Sequence, residues 1–305
     1  MRLIVMGQQA FGSAVLERLL EMGTDRIVSV YCAPDREGRP EDPLKLSALQ
    51  AGLPVRQPAG FKDAGVLGEM LADEADLLIM AFVTLFVPQA ARDIPRLGSI
   101  CFHPSLLPLH RGPSSINWPI ISGAEKTGFS WFYPTDGLDE GDILLQRECE
   151  IGPDDTLGDV YFKKIFPAAV ESVLEVCELF RNGNPPRRQQ DESQATYESW
   201  CRRQDVEIDW SEDAPRVYNL IRGSNPQPGA WTRHGTGTVQ VYDAALTDGE
   251  GEPGCVVSID GNGVTVQASG GRILIKRVRP AGGGKIPAID WARQSSLSPG
   301  ASLNN

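Results

Sequence analysis

Over its first hundred residues the chain alternates between short apolar runs and stretches with helical spacing, and that alternation constrains the fold more than any other feature. Arg2-Leu3-Ile4-Val5-Met6 is a brief apolar run closed by Gly7, which reads as a buried strand. Phe11, Ala14, Val15, Leu19 and Met22 then recur on one helical face that Gly23 can stop. The pattern repeats: Ile27–Cys32 reads as strand, 44–51 as helix, Leu53–Val55 as a short strand, 64–72 as helix, Asp76–Ala81 as strand, and Gly98–His103 as a further inner strand. Strand and helix in such alternation predict an α/β fold, with a parallel sheet covered on both faces.

Beyond residue 125 the texture changes. Thr127–Pro134 is aromatic-rich and Ile143–Ile151 is apolar or alternating, so both suit strands joined by the acidic stretch 135–142. Residues 156–182 read as one long helix that Pro167 should kink or split. Residues 183–205 are polar and proline-rich, the composition of a linker. After a short helix near 213–222 come four glycine-broken runs, Val239–Tyr242, Cys255–Ile259, Val264–Ala268 and Ile273–Val278, the pattern of a small antiparallel barrel. The expectation is a Rossmann-like parallel-sheet domain over 1–203 followed by a small OB-like β-barrel domain over 204–305.

A chain of 305 residues accommodates two domains with real cores. Its 40 acidic side chains against 29 basic ones give a net charge of −11, which repels phosphate backbones and makes nucleic acid an unexpected partner. The six cysteines form no CxxC pair and read as free thiols of a reducing compartment. The opening apolar run is too short for a signal peptide, and no apolar stretch is long enough to span a membrane. A cytoplasmic protein with no membrane contact is expected.

Gly7-Gln8-Gln9-Ala10-Phe11-Gly12 is not a dinucleotide fingerprint, because Gln9 stands where a second glycine must admit the pyrophosphate; NAD is not expected. Of three histidines, His234 lies in a turn-like, solvent-facing stretch and His110 in a proline-rich loop. His103 ends a predicted parallel strand at its carboxyl end, where α/β sheets place their ligands, although a histidine there can equally cap the strand by bonding a carbonyl. Asp136, Asp139, Glu140 and Asp142 fail the EF-hand pattern, since Gly137 comes too early and no Glu closes the loop, and no HExxH or Cys/His cluster appears. No metal is expected. A histidine and a nearby carboxylate suffice for acid–base chemistry. Composition and spacing stop at an α/β enzyme with a histidine and an acidic loop.

The block His103-Pro104-Ser105-Leu106-Leu107-Pro108-Leu109-His110-Arg111-Gly112, followed by Ile116-Asn117-Trp118 and by Gly137-Leu138-Asp139-Glu140-Gly141-Asp142, resembles the folate-dependent formyltransferase superfamily. Within it the likeness is greatest to the hydrolase domain of the 10-formyltetrahydrofolate dehydrogenases, with methionyl-tRNA formyltransferases as relatives. It extends through Pro153-Asp154-Asp155-Thr156, Phe166-Pro167, Ala195-Thr196-Tyr197, Arg222-Gly223 and Pro228-Gly229-Ala230-Trp231-Thr232.

The resemblance implies that 10-formyltetrahydrofolate is the formyl donor and that His103 and Asp139 are the catalytic pair. It implies a pterin pocket formed by the loop matching Phe82–Pro88, with Thr84, Leu85 and Phe86 as folate-binding residues beside Asp139. Asp142 is expected to bond backbone amides and shape the turn. Many transferases of the superfamily carry Asn two residues before the histidine; here that place is Cys101, and the hydrolase branch also lacks the Asn. A thiol is a weak donor and does not replace the amide, so Cys101 is expected to pack rather than act as nucleophile. The 305 residues hold no aldehyde-dehydrogenase-like or carrier segment, so oxidation of the formyl group to carbon dioxide is not expected of this polypeptide alone. The leading expectation is an enzyme removing formyl from 10-formyltetrahydrofolate, to water or to a small amine. Methionyl-tRNA formyltransferase and a folate-binding regulatory protein with little turnover are the alternatives. Against tRNA, 206–275 carries only Arg216, Arg222, Arg233 and Arg272 among nine acids, although Lys276, Arg277, Arg279 and Lys285 follow.

Overall fold

Each apolar run of the first hundred residues becomes a strand and each helix-spaced stretch a helix. The structure, a computed structural model, describes residues 1–235 and 237–303. The order is β1 (Arg2–Gly7), α1 (Gln9–Met22), β2 (Arg26–Cys32), α2 (Pro43–Gln50), β3 (Val55–Arg56), α3 (Ala64–Ala72), β4 (Leu77–Ala81), α4 (Gln89–Arg92) and β5 (Ser99–His103). There follow α5 (Asn117–Ile121), β6 (Lys126–Phe132), β7 (Ile143–Glu150), α6 (Leu157–Asp159), a π-helical turn Val160–Ile165, and α7 (Phe166–Arg181). The chain divides into two compact units: Met1–Arg111 with Gly128–Glu148 and Lys164–Tyr197, and Gly112–Thr127 with Cys149–Lys163 and Glu198–Asn305.

In the first unit the sheet order is β3-β2-β1-β4-β5-β6-β7. The first five strands pair in parallel, as the alternation predicts, whereas β6 lies antiparallel to β5. Strand order turns outward from β1 in both directions, and the crevice at the carboxyl ends beside such a switch is where open α/β sheets bind ligands. Gly7 ends β1 so close to β4 that a Cβ there would lie 2.0 Å from the Ala81 carbonyl oxygen. Side chains alternate across the sheet. Ile4, Met6, Leu78 and Met80 join Tyr31, Phe61 and Met70 in one buried cluster. Phe102 takes the opposite face, its ring 4.2 Å from Phe11 and 5.4 Å from Trp131 between centroids. Trp131 is fully buried and donates its indole N–H to Ser172 at 2.8 Å.

The long helix over 156–182 is divided beside Pro167 as expected: α6 runs through the π-helical turn into α7, and Pro167 sits in the first turn of α7, where a missing N–H costs no helical bond. One expectation is corrected. The proline-rich stretch after α7 is not a loose linker. Arg188 exchanges backbone hydrogen bonds with Ile143 at 2.8 and 2.9 Å, and Thr196 does likewise with Pro108 and Arg111 at 3.2 and 2.9 Å. Its polar composition mimics a linker because the bonds it makes are backbone and amide bonds that need no apolar pattern.

The second unit contains α5, α6, α8 (Ala214–Gly223), β8 (Trp231–His234), β9 (Gly237–Thr247), β10 (Val256–Asp260), β11 (Gly263–Ala268), β12 (Gly271–Pro280), β13 (Ile286–Pro287) and α9 (Ala288–Gln294). The expected antiparallel C-terminal sheet is present, with order β10-β11-β12-β9-β8 and β13 added to β12. Its core gathers Trp210, Val217, Ile221, Val241, Val266, Ile275 and Trp291. His234 is not a free surface residue: its Nε2 lies 3.3 Å from the Ser295 carbonyl and its ring packs edge-on to Trp291. Among the described residues no helix is long and apolar enough to cross a membrane.

Candidate active site

His103 is the last residue of β5, buried to 7% exposure, and it leaves the sheet at the carboxyl edge. Its Nε2 lies 2.8 Å from the backbone carbonyl oxygen of His110, an acceptor that requires the proton on that nitrogen. Its Nδ1 faces Asp139, 3.6 Å from Oδ2. The separation from Asp139 is longer than a closed hydrogen bond, leaving Nδ1 able to serve a reacting atom.

Asp139 rides on the acidic loop between β6 and β7 with φ 57°, a left-handed backbone unusual for a residue with a side chain. Two residues on, Gly141 passes so near the start of the loop that a Cβ would lie 1.5 Å from the Tyr133 carbonyl oxygen. Arg92, buried at the end of α4, ties this loop to the preceding one, donating to the Val87 carbonyl at 2.6 Å and to Asp136 at 2.8 Å. Asp142 departs from expectation: its carboxylate lies 3.9 Å from Arg187 instead of capping backbone amides, and Arg187 stacks over the Tyr133 ring at 3.7 Å. A cavity of about 300 Å³ opens beside the loop, lined by Arg92, Ser99, Tyr133, Glu140, Asp142 and Arg187. That is the lower end of the size range of small-molecule pockets.

Cys101, one pleat before His103 on the same face, packs against Leu107, Phe132 and Ile143, and its thiol lies 3.6 Å from the Phe102 carbonyl. Burial pushes this thiol up, and the charge of Asp139 adds to the effect, so the thiolate is disfavoured. The segment after β4 places Phe82 at φ 63°. Thr84 is exposed and accepts a hydrogen bond from the Gln8 side chain at 3.1 Å; Leu85 is half-buried beside it. Phe86 is 57% exposed, with the Lys62 ammonium 6.0 Å from its ring centroid. The backbone N–H of Gln9, at the start of α1, already bonds both oxygens of Asp42 at 2.9 Å.

The structure thus brings His103 and Asp139 together in the first unit, with Cys101 beneath them. Three residues that sequence reasoning did not single out support them: Arg92, Arg111 and Gln190. All are buried polar groups, and residue type alone does not distinguish a buried anchor from a solvated side chain, although Arg111 lies inside the resembling block. Among the described residues no three His, Cys, Asp or Glu side chains gather as a metal site.

Comparison with known proteins matches residues 1–173 to the family described as formyl transferase and 201–296 to the formyl transferase C-terminal domain. The human mitochondrial 10-formyltetrahydrofolate dehydrogenase is 36% identical over 306 residues, covering 95% of this chain and 33% of its own length. The chain therefore spans about a third of the dehydrogenases it matches. The methionyl-tRNA formyltransferase of Geotalea daltonii is 33% identical, covering 100% of this chain and 99% of its own. The fold is shared with HypX from Aquifex aeolicus, solved with tetrahydrofolic acid (TM-score 0.68, 19% identity, 98% of this chain and 48% of that one). It is shared too with the sugar 3N-formyltransferase WlaRD (TM-score 0.68, 16% identity, 90% and 97%). With a match over more than half its length, and with full-length relatives at this identity, the chain belongs to the formyl transferase family.

Proposed function

We propose that this chain removes the formyl group from 10-formyltetrahydrofolate, passing it to water or to a small amine and releasing tetrahydrofolate. The observation that carries the reading is the pairing of His103 Nδ1 with Asp139 at 3.6 Å, where His103 ends β5 at the carboxyl edge of the sheet. Thr84, Leu85 and Phe86 are the proposed folate contacts on the neighbouring loop.

Attack on the formyl carbon forms a tetrahedral centre whose oxygen gains negative charge, so a cationic donor there lowers the barrier. His103 is proposed as that donor. With Nε2 committed to the His110 carbonyl, Nδ1 is the working nitrogen, and its proton can pass to the departing folate nitrogen as the carbon–nitrogen bond breaks. Asp139 takes the proton that the attacking water or amine loses as its bond to carbon forms. Incubation with 10-formyltetrahydrofolate, with and without candidate amines, should yield tetrahydrofolate with either formate or a formylated amine. Binding without release of tetrahydrofolate would favour a folate-binding role. The second reading, methionyl-tRNA formyltransferase, is favoured by the relative of that name aligned over 99% of its own length.

A further inference from the structure

Residues 188–197 grip both halves of the catalytic pair. Gln190 is 5% exposed, and both ends of its carboxamide are in use. Its Nε2 donates to the backbone carbonyls of Asp139 at 2.8 Å and Gly141 at 2.6 Å. Its Oε1 accepts from Arg111, from Nε at 3.2 Å and Nη2 at 2.8 Å. Arg111 is fully buried, held also by both oxygens of Glu192 at 2.9 and 2.6 Å and by the Tyr197 hydroxyl. One residue earlier, the His110 carbonyl bonds the His103 ring while the His110 N–H donates to Thr196 Oγ1 at 2.7 Å. The same strap therefore sets the histidine through His110 and the aspartate through Gln190.

The chemistry of this arrangement is one-directional. The guanidinium of Arg111 fixes the amide with its oxygen inward, so that only Nε2 can face the loop. Two carbonyls from one left-handed turn converge on that single NH2 group, and a non-glycine residue holds such a backbone only where its surroundings over-determine it.

We propose that Gln190 is a positioning residue: its amide pins the turn at Asp139 and so sets the carboxylate against His103, with Arg111 orienting the amide. This rests on the reading of His103 and Asp139 as the pair that carries formyl removal.

The test compares wild type, Gln190→Met (similar length, no donor) and Gln190→Glu (similar shape, acceptors in place of donors), alone and with Asp139→Asn. The imidazole ¹⁵N chemical shifts of His103 in the tetrahydrofolate-free protein are the first readout. Gln190→Met should move them in the same direction as Asp139→Asn and should add nothing further in the Asp139→Asn background. The second readout is release of tetrahydrofolate from 10-formyltetrahydrofolate, where kcat should fall about ten- to a hundredfold with KM within about twofold, and further for Gln190→Glu. Unchanged His103 shifts, equal effects in both backgrounds, or loss of folding in both Gln190 variants would overturn the proposal. If the wild type releases no tetrahydrofolate, the functional reading fails by itself, and the His103 shifts still decide the role of Gln190.

Discussion

His103 meets two acceptors of different kinds, a backbone carbonyl on Nε2 and a carboxylate facing Nδ1. Losing the ring removes both the proposed proton carrier and the donor to the developing oxyanion, so His103→Ala is expected to lower turnover at least about a hundredfold. Tetrahydrofolate affinity, followed by fluorescence quenching, should persist because the proposed folate contacts lie on another loop. A variant that loses affinity but keeps kcat would make His103 a structural residue. Asp139→Asn should be comparably damaging. Cys101 is expected to behave differently. Its thiol is kept protonated by burial and by the charge of Asp139, and its contacts are with apolar side chains. Cys101→Ala should retain most activity. A formyl adduct on the Cys101 peptide in a quenched single turnover, seen by mass spectrometry, would contradict this.

At the scale of elements, the start of the predicted long helix carries a capping motif with a pH signature. Thr156 caps α6 in a box with Asp159, its N–H donating to Asp159 Oδ2 at 3.0 Å and its hydroxyl accepting from the Asp159 N–H at 3.2 Å. Lys163 adds an ion pair at 2.5 Å. Burial pushes the Asp159 carboxyl up, but Lys163 and the Thr156 donors outweigh it and hold the group at about 2. A folded-state value below the ordinary 3.9 or so means that this stabilisation is fully present above about pH 4 and is lost as pH falls through about 2. Asp159→Asn should therefore cost about 1 kcal/mol at neutral pH and progressively less towards pH 2, read from urea midpoints. An equal loss at both pH values would separate the box from the titration. The same region shows what sequence makes legible. Periodicity located β1 to β5 and the helices α1 to α3, whereas the single turn of α4 was too short to show, and the histidine at a strand end and the acidic loop were visible as a pair through resemblance. The role of Gln190 was not, since hydrogen-bonded burial leaves no periodic trace and its neighbourhood has the composition of a linker, and Arg111 stood in the resembling block with no role attached. β8, with only four residues and charge at Arg233, carried too weak an alternation to be noticed.

For the whole molecule, charge separates the two transfer readings. A net charge of −11 opposes a polyanionic acceptor unless cations are segregated, and the candidate for such a patch is Lys276, Arg277, Arg279 and Lys285 on or after β12. Much of that cluster is already engaged. Arg277 pairs with Asp243 at 3.3 Å, and Arg279 donates to Gln240 at 2.8 Å. Lys285 lies 3.6 Å over the Tyr242 ring, and burial lowers its hold on the proton. Each phosphate neutralised on a single strand contributes a slope of about −0.7 to the log–log dependence of affinity on salt. Few available cations should give weak tRNA binding with a slope shallower than about −2 near physiological ionic strength. Filter binding across a salt series measures this directly. A sub-micromolar isotherm that collapses steeply as salt rises would mean that the engaged cations are released to phosphate, and would place aminoacyl-tRNA ahead of water and small amines as the formyl acceptor.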